Sequence, residues 1–362
     1  LFYVVRGTSH GDKKIARKER PLPLFQPVTN QSVIRRDGRR ILVIVFDNAG
    51  DLVFTSAMLR QLGKAEGVDQ LGVWTKDYTR EIAELLPAAP LCFHADPFWD
   101  RSPLRGRGDW QRFWTVARQV QQADFQVALI PNHCWRSAFI AKLLGIRQRI
   151  GFARNWKNRI LLTHTRGRMR EERGIVPQLL DLLQPLGIQV TQGHYELKLD
   201  PAAALPVPIG ESTGELIALH PFAGNPRRCA PLGMWLQFAR ALKDRGFRLI
   251  WLGAPSELAR IRQESTDFAP YEFQDYFPDD LGFGGIARLV LGAKAYVGHD
   301  SGPLHIAHAL GVPVLGLYLP SSYQRTYPQG PGVYVQCVRS SPAELTLEDW
   351  LAAWDEVLAK TD

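Results

Sequence analysis

The chain has 362 residues, of which 45% are apolar and 22% charged, a balance that excludes a disordered or fibrous protein and supplies core for two globular domains. No apolar run approaches the ~20 residues that span a bilayer. The four cysteines, Cys92, Cys134, Cys229 and Cys337, form no Cys-x-x-Cys pair, so neither a disulfide scaffold nor a zinc site is indicated.

The net charge of +8 is unevenly placed, because residues 1–40 hold ten cations against three carboxylates, +7, and leave the remainder near neutrality. This basic N-terminal extension, residues 1–38, contains Pro21, Pro23 and Pro27, which argue for an extended arm. Such an arm is either solvated or held at an anionic lipid surface, where a well-placed cation contributes ~1 kcal/mol. No nucleic-acid recognition motif accompanies the charge.

Ile41 to Phe46 is a continuous apolar run, as expected of a parallel strand covered on both faces. A turn at Asp47 to Asp51 and a helix from Thr55 to about Lys64 are expected next. Strands are predicted from Gln70 to Trp74, Leu91 to His94 and Gln126 to Ile130. Helices are predicted from Tyr78 to Leu86, Trp110 to Gln122 and Arg136 to Leu144, the last stopped by Gly145. This alternation predicts a doubly wound α/β domain over residues 39–200.

Residues 201–208, rich in Pro and Ala, read as a linker. A second alternating set spans 209–345. It starts with a strand from Leu216 to His220 and a helix that buries Leu232, Trp235, Leu236, Ala239 and Leu242. A strand from Phe247 to Leu252, a helix capped by Ser256 and a strand from Val314 to Tyr318 follow. Residues 346–362 form an amphipathic helix, with Thr346 and Asp349 as a capping box and Trp350, Trp354 and Val357 in its apolar stripe. Two such halves enclose a cleft, and ligands of open α/β sheets bind at the carboxyl ends of strands.

Three turns follow predicted strands. The most informative lies within Tyr296 to Pro313, where a buried strand delivers Asp300-Ser301-Gly302 into a helix. Amides at a helix start carry partial positive charge and suit a phosphate. Gly302 permits close approach, and Pro303 suits the first helical position. Asp300 either caps the helix or takes a ligand hydroxyl, and His305 lies one turn inside. The other turns run from Asp47 to Asp51 and from His220 to Arg228. A capped strand-helix junction without a ligand is the competing reading of each.

Asn48-Ala49-Gly50-Asp51 before Thr55, the turn from His220-Pro221 to Gly224 with Arg228 before Pro231, and Asp300-Ser301-Gly302-Pro303-Leu304-His305 stand in that order. Asn132 to Ser137 and Arg149 to Phe152 lie between them. Together they resemble the heptosyltransferase family, glycosyltransferase family 9, over roughly residues 40 to 330. The resemblance implies a GT-B fold, two Rossmann-like domains with acceptor bound by the first and donor by the second. It implies inverting transfer of a heptose from ADP-heptose to the inner core of lipopolysaccharide, with no cofactor and no metal.

On that pattern Asp51 is the catalytic base. Asp47, in the same turn, is its rival, and a helix N-cap is the structural alternative. Donor contacts fall to Gly224, Arg228, Asp300, Ser301, Gly302 and His305, with Arg227 as the fallback cation. Asn48, Gly50 and Arg136 are the acceptor-side candidates. Arg228 stands where relatives often carry Lys, Ala230 where they carry an aromatic, and Asn225-Pro226 where they carry small hydroxyl residues. Asp279-Asp280 reads as a loop, not a metal-binding pair.

The implied partners are a nucleotide-sugar donor and a lipid-linked anionic saccharide, with no nucleic acid. The expected location is the cytoplasm, with peripheral contact at the inner membrane face. A nucleotide-sugar epimerase and a non-catalytic sugar-nucleotide-binding protein share the fold and stay open. A nicotinamide dehydrogenase is disfavoured, since no Gly-x-Gly-x-x-Gly follows the first strand.

Overall fold

The computed structural model describes residues 38–102, 106–190, 193–205, 214–266, 281–319, 323–330 and 332–361. The leader up to residue 37, linker residues 206–208 and Asp279-Asp280 lie outside the described residues.

The first lobe opens with β1 (Arg39–Val45), α1 (Ala49–Leu62), β2 (Val68–Thr75), α2 (Arg80–Ala83) and β3 (Leu91–His94). A hairpin of β4 (Arg101–Ser102) and β5 (Gly106–Arg107) precedes α3 (Trp110–Gln122), β6 (Val127–Ile130) and α4 (Trp135–Leu143). Then come β7 (Gln148–Gly151), α5 (Trp156–Leu161), β8 (His164–Thr165) and α6 (Ile175–Leu180). The second lobe runs through β9 (Leu216–His220), α7 (Leu232–Asp244), β10 (Arg248–Trp251), α8 (Pro255–Thr266) and α9 (Gly282–Leu291). It continues with β11 (Ala295–His299), α10 (Gly302–Ala309), β12 (Val314–Tyr318), α11 (Tyr323–Thr326), β13 (Tyr334–Val338) and α12 (Leu347–Thr361).

The first sheet has the order β3-β2-β1-β6-β7-β8 and the second β10-β9-β11-β12-β13, and every pairing in both is parallel. Each sheet winds outward in one direction and then the other. The reversals fall between β1 and β6 and between β9 and β11, where a doubly wound sheet opens a crevice at its carboxyl ends. Both faces of each sheet are covered. In β1, Ile41, Val43 and Val45 enter one apolar layer while Leu42 and Ile44 enter the other. Among the described residues no helix is long and apolar enough to cross a membrane.

Several elements depart from the expected bounds. Helix α1 starts at Ala49 rather than Thr55, because Asn48 takes the N-cap position and its N–H donates to the Asp51 carboxylate at 3.1 Å. The Thr55 hydroxyl then donates to the Asp51 carbonyl at 2.8 Å, one turn further on. Asp51 is therefore the third helical residue and not the cap. The predicted helix from Tyr78 to Leu86 is a 3-10 turn, Asp77–Thr79, followed by the four residues of α2. The chain leaves the helix after Ala83 through two tighter turns, Leu85 N–H to the Ile82 carbonyl and Leu86 N–H to the Ala83 carbonyl, and Pro87 bars any helix beyond. Ser256 lies inside α8 rather than capping it; the Glu257 carboxylate accepts the Ala254 N–H at 2.8 Å instead. The short elements α5, β8, α6 and β13 and the ten-residue α9 are not among the expected elements, and α9 was missed although its apolar residues recur at helical spacing.

Helix α12 packs on the second lobe, where Trp350, Trp354 and Val357 join its core and Trp350 stacks on Phe238 at 4.4 Å. His299, at the end of β11, is buried beside it. Its Nε2 accepts the Ala230 N–H at 3.1 Å and the Trp235 indole N–H at 3.3 Å, which ties the β9–α7 turn to the sheet. Burial pushes this imidazole down to about 3, so it stays a neutral acceptor. His299→Ala leaves two buried donors unsatisfied and is expected to cost about 2–4 kcal/mol of stability. An unchanged urea midpoint would contradict that linkage.

Candidate active site

A cleft of about 910 Å³ separates the lobes, within the usual range for small-molecule sites. The first lobe contributes Asn48, Ala49 and Gly50 from the start of α1. The second contributes Gly224 and Arg228 from the turn after β9, and Asp300, Ser301 and Gly302 from the start of α10. Both second-lobe turns leave the strands that flank the sheet's reversal, which is why residues 76 positions apart share one wall.

The starts of α1 and α10 almost touch. A Cβ on Gly302 would lie 3.0 Å from the Ala49 Cβ and 3.5 Å from the Gly50 nitrogen. Any larger residue at 302 would thus have to push back a neighbour across the cleft, and it is this contact rather than a turn that favours glycine. Ser301 is the extended N-cap of α10, at φ −153°, Gly302 the first helical residue and Pro303 the second. These positions correct the expectations of Asp300 as the cap and of Pro303 at the first helical position. Two helix starts aimed into one space make it favourable for anions.

With the cap taken by Ser301, the Asp300 side chain is free for other contacts. One oxygen lies 3.2 Å from His305 Nε2 and the other 3.7 Å from an Arg228 terminal nitrogen. Burial alone would raise this carboxyl, but the His305 hydrogen bond and the His305 and Arg228 charges outweigh it and hold Asp300 below its ordinary value. His305 is buried and packs against Phe54, its other nitrogen 3.2 Å from the Tyr195 hydroxyl. Burial raises Tyr195 well above the ordinary phenol value. It therefore stays a neutral phenol within hydrogen-bond reach of Nδ1, while Nε2 faces the Asp300 carboxylate. Tyr195 is held between the lobes by its neighbours. The Glu196 N–H donates to the Ser56 hydroxyl at 3.0 Å, and the Leu197 N–H to the Ala309 carbonyl at 2.9 Å.

Two carboxylates sit at the start of α1. Asp47 accepts a hydrogen bond from Asn132 across the reversal between β1 and β6. Burial, then the Asp51 charge, push Asp47 up to about 6 against the opposing pull of Asn132 and Lys76. Burial raises Asp51 as well, opposed by the Asn48 N–H and by Arg325, His305 and Lys76. Lys76 is itself paired with Asp100 at 2.6 Å. Arg325, on α11 of the second lobe, reaches Glu171 of the first with contacts of 3.0 and 3.1 Å. Each lobe thus places a cation near Asp51.

Of the expected residues, Asn48, Gly50, Gly224, Arg228, Asp300, Ser301 and Gly302 line the cleft. Asp51 lies behind them in the first turn of α1. His305 packs beneath Gly50 and reaches the cleft only through Asp300. Arg227 is exposed outside the lining. Arg136 is also outside it, exposed on α4 with its guanidinium 5.1 Å from the Trp135 ring centroid. Sequence reasoning missed the apolar walls, Phe222, Leu252, Phe283 and Ile286, and the two cations Lys76 and Arg325. Lys76 directly follows β2 and could have been found from its place at a strand end. Arg325 carries no local signal, since its position depends on how the lobes meet.

The family model for glycosyltransferase family 9 (heptosyltransferase) matches residues 113–348. Lipopolysaccharide heptosyltransferase 1 of Pseudomonas aeruginosa is 24% identical over 306 residues, covering 78% of this chain and 79% of that protein. The Escherichia coli protein of the same name is 31% identical over 133 residues, 36% of this chain and 39% of that one. Among solved structures, E. coli ADP-heptose lipopolysaccharide heptosyltransferase II has a TM-score of 0.72 at 18% identity, covering 89% of this chain and 99% of the other. E. coli heptosyltransferase WaaC with ADP-2-deoxy-2-fluoro heptose has a TM-score of 0.70 at 19% identity, covering 88% and 99%. These likenesses show the GT-B fold of two Rossmann-like lobes. Since the family match spans well over half of the chain, this enzyme is a glycosyltransferase and a member of glycosyltransferase family 9, the heptosyltransferases.

Proposed function

We propose that the enzyme moves a heptose from ADP-heptose, with inversion at the anomeric carbon, to a hydroxyl of a lipid-linked anionic saccharide of the lipopolysaccharide inner core. The observation that carries this reading is the near-contact of the α1 and α10 starts. It puts a carboxylate-bearing helix turn opposite amides and an arginine suited to a diphosphate. The acceptor oxygen attacks C1 of the heptose while Asp51 takes its proton. The bond from C1 to the phosphate oxygen breaks, and its electron pair leaves with ADP.

Arg228 and the Ser301 and Gly302 amides meet the charge that develops on the leaving diphosphate. The guanidinium fork grips two phosphate oxygens at once, which a lysine cannot do. Gly224 lets the turn after β9 approach the same group. Asp300, kept ionised, accepts a hydroxyl of the donor sugar or ribose, and His305 positions it. The walls formed by Phe222, Leu252 and Ile286 suit a nucleobase. Asn48 and Gly50 face the acceptor. On this reading residues 39–200 serve the acceptor and 209–345 the donor, at the cytoplasmic face of the inner membrane. A solved structural neighbour holding an ADP-heptose analogue supports the donor assignment.

Incubation with ADP-heptose, with and without a lipid-linked core acceptor, tests the proposal. ADP and a glycoside of opposite anomeric configuration are expected only when both substrates are present. Donor conversion without acceptor would indicate an epimerase. Donor binding with no ADP release for any core acceptor would indicate a binding protein.

The carboxylate pair predicts a pH dependence. Activity should rise with pH along a limb near 6, as the neighbouring Asp47 and Asp51 carboxyls ionise. Asp47→Asn removes the like charge and should move that limb to lower pH; an unmoved limb counts against the coupling. The stability effect has the opposite sense. Because the folded value of about 6 exceeds the ordinary 3.8, the Asp47 proton favours the fold below about pH 4, and that contribution is lost as pH rises through 6.

A further inference from the structure

Large exposed apolar side chains gather on one face of the first lobe. Phe139 and Leu143, 45% and 39% exposed, are one turn apart on α4; Trp156 and Ile160, 67% and 64% exposed, are one turn apart on α5. Lys157 joins the two helices, its ammonium 4.7 Å from the Trp135 ring centroid and 5.8 Å from that of Trp156. Trp135 in turn meets Phe139, with ring centroids 6.4 Å apart. Leu143, Phe139, Trp135, Lys157, Trp156 and Ile160 therefore form one continuous strip.

The segment of chain that carries the strip has charge of one sign. Between Asp124 and Glu171 the chain has no carboxylate at all, while residues 125–170 carry ten Lys and Arg. The near-neutral total outside the leader conceals this segment, because acidic residues elsewhere offset it. Arg136, Lys142, Lys157 and Arg159 lie on the two helices themselves.

We propose that this face docks the enzyme on an anionic lipid bilayer, with Trp156, Ile160, Phe139 and Leu143 entering the interfacial layer and the cations meeting lipid phosphates. Single exposed apolar residues are ordinary on a protein surface, but a contiguous strip on helices that also carry four cations marks an interaction site. Charge eliminates the nearest competitors. A second copy of this chain would set ten cations against ten, and the leader, at +5 over residues 1–38, carries charge of the same sign. A polynucleotide would satisfy the cations but offers no apolar layer to Ile160 and Leu143. An anionic bilayer offers both. Helix α4 begins three residues after Asn132, the partner of Asp47, so docking here sets the membrane beside the carboxylate pair. The inference goes beyond the proposed transfer, because bilayer binding needs neither donor nor acceptor.

Flotation of the full chain with phosphatidylglycerol-containing vesicles, against pure phosphatidylcholine vesicles, tests it. Binding is expected to the anionic vesicles only, and to be largely lost at about 1 M salt, where charges are screened beyond ~3 Å. W156S/I160S should weaken binding by about tenfold or more, since two interfacial side chains are lost. K142E/R159E should do the same by charge alone and keeps the test intact if the first variant melts early. Transfer to a water-soluble acceptor fragment should be unaffected in W156S/I160S, and absence of transfer in the parent leaves the vesicle readout unaltered. Parent-like binding by both variants, with loss only when the leader cations are changed to Gln, would overturn the proposal in favour of the leader. A dimer in sedimentation velocity that W156S/I160S dissociates, with no vesicle binding, would overturn it in favour of a second copy.

Discussion

Asp51→Asn is expected to lower turnover by about 10²- to 10⁴-fold, the range that a positioned base contributes, while ADP-heptose affinity stays within a few-fold of the parent. The amide keeps the shape of the side chain and an oxygen for the Asn48 N–H, now 3.1 Å from the carboxylate, so helix α1 should start as before. It cannot accept the acceptor proton. Turnover and donor titration by calorimetry on the same preparation separate these effects. Asp47→Asn is the matched control. Its carboxylate is engaged by Asn132, whereas that of Asp51 feels the His305 and Arg325 charges from the second lobe. On the proposed reading, with the donor held by the second lobe, Asp51 is therefore expected to be the base. Near-parent turnover in Asp51→Asn together with collapse in Asp47→Asn would transfer the role to Asp47.

Arg228→Ala should lower kcat/KM by about 10²- to 10³-fold, the usual loss when a preorganised group facing transition-state charge is removed. It should also weaken ADP binding, since the same charge is present in the product. Arg228→Lys should recover part of the loss by restoring charge without the planar fork. Arg227→Ala should remain near the parent, because that side chain is exposed outside the cleft lining. ADP affinity unchanged in Arg228→Ala would remove Arg228 from the diphosphate site. A further consequence involves Asp300. Loss of the guanidinium 3.7 Å away leaves only the contacts with His305 and Thr326 to oppose burial, which pulls the carboxyl upward. Donor binding by this variant should therefore fall off on acidification sooner than in the parent.

Much of the fold was legible from local pattern. Strands at Leu91–His94, Leu216–His220 and Val314–Tyr318 and the helix Trp110–Gln122 have the bounds that their sequences predict. In each, apolar periodicity and flanking turn residues agree, and both act over a few neighbours along the chain. The continuous run in β1 likewise required two covered faces. The turn residues that line the cleft could be found for the same reason, since each directly follows a strand.

Where local signals competed, the boundaries moved. Asp51 and Thr55 both resemble helix starts, yet Asn48 takes the cap. Asp300 resembles a cap, yet Ser301 occupies the N-cap position, without a side-chain capping bond, and Asp300 turns to His305 and Arg228.

The amino-acid sequence by itself determined two parallel α/β halves, the turns that end their strands and a block of unopposed cations at 125–170. Only the tertiary structure decided that Gly302 abuts Ala49, that Tyr195 supports His305, that Arg325 of the second lobe pairs with Glu171 of the first, and that α4 and α5 join their apolar residues into one exposed strip. Periodicity and turn chemistry depend on residues a few positions apart, whereas these contacts join segments distant along the chain and exist only once the chain has packed.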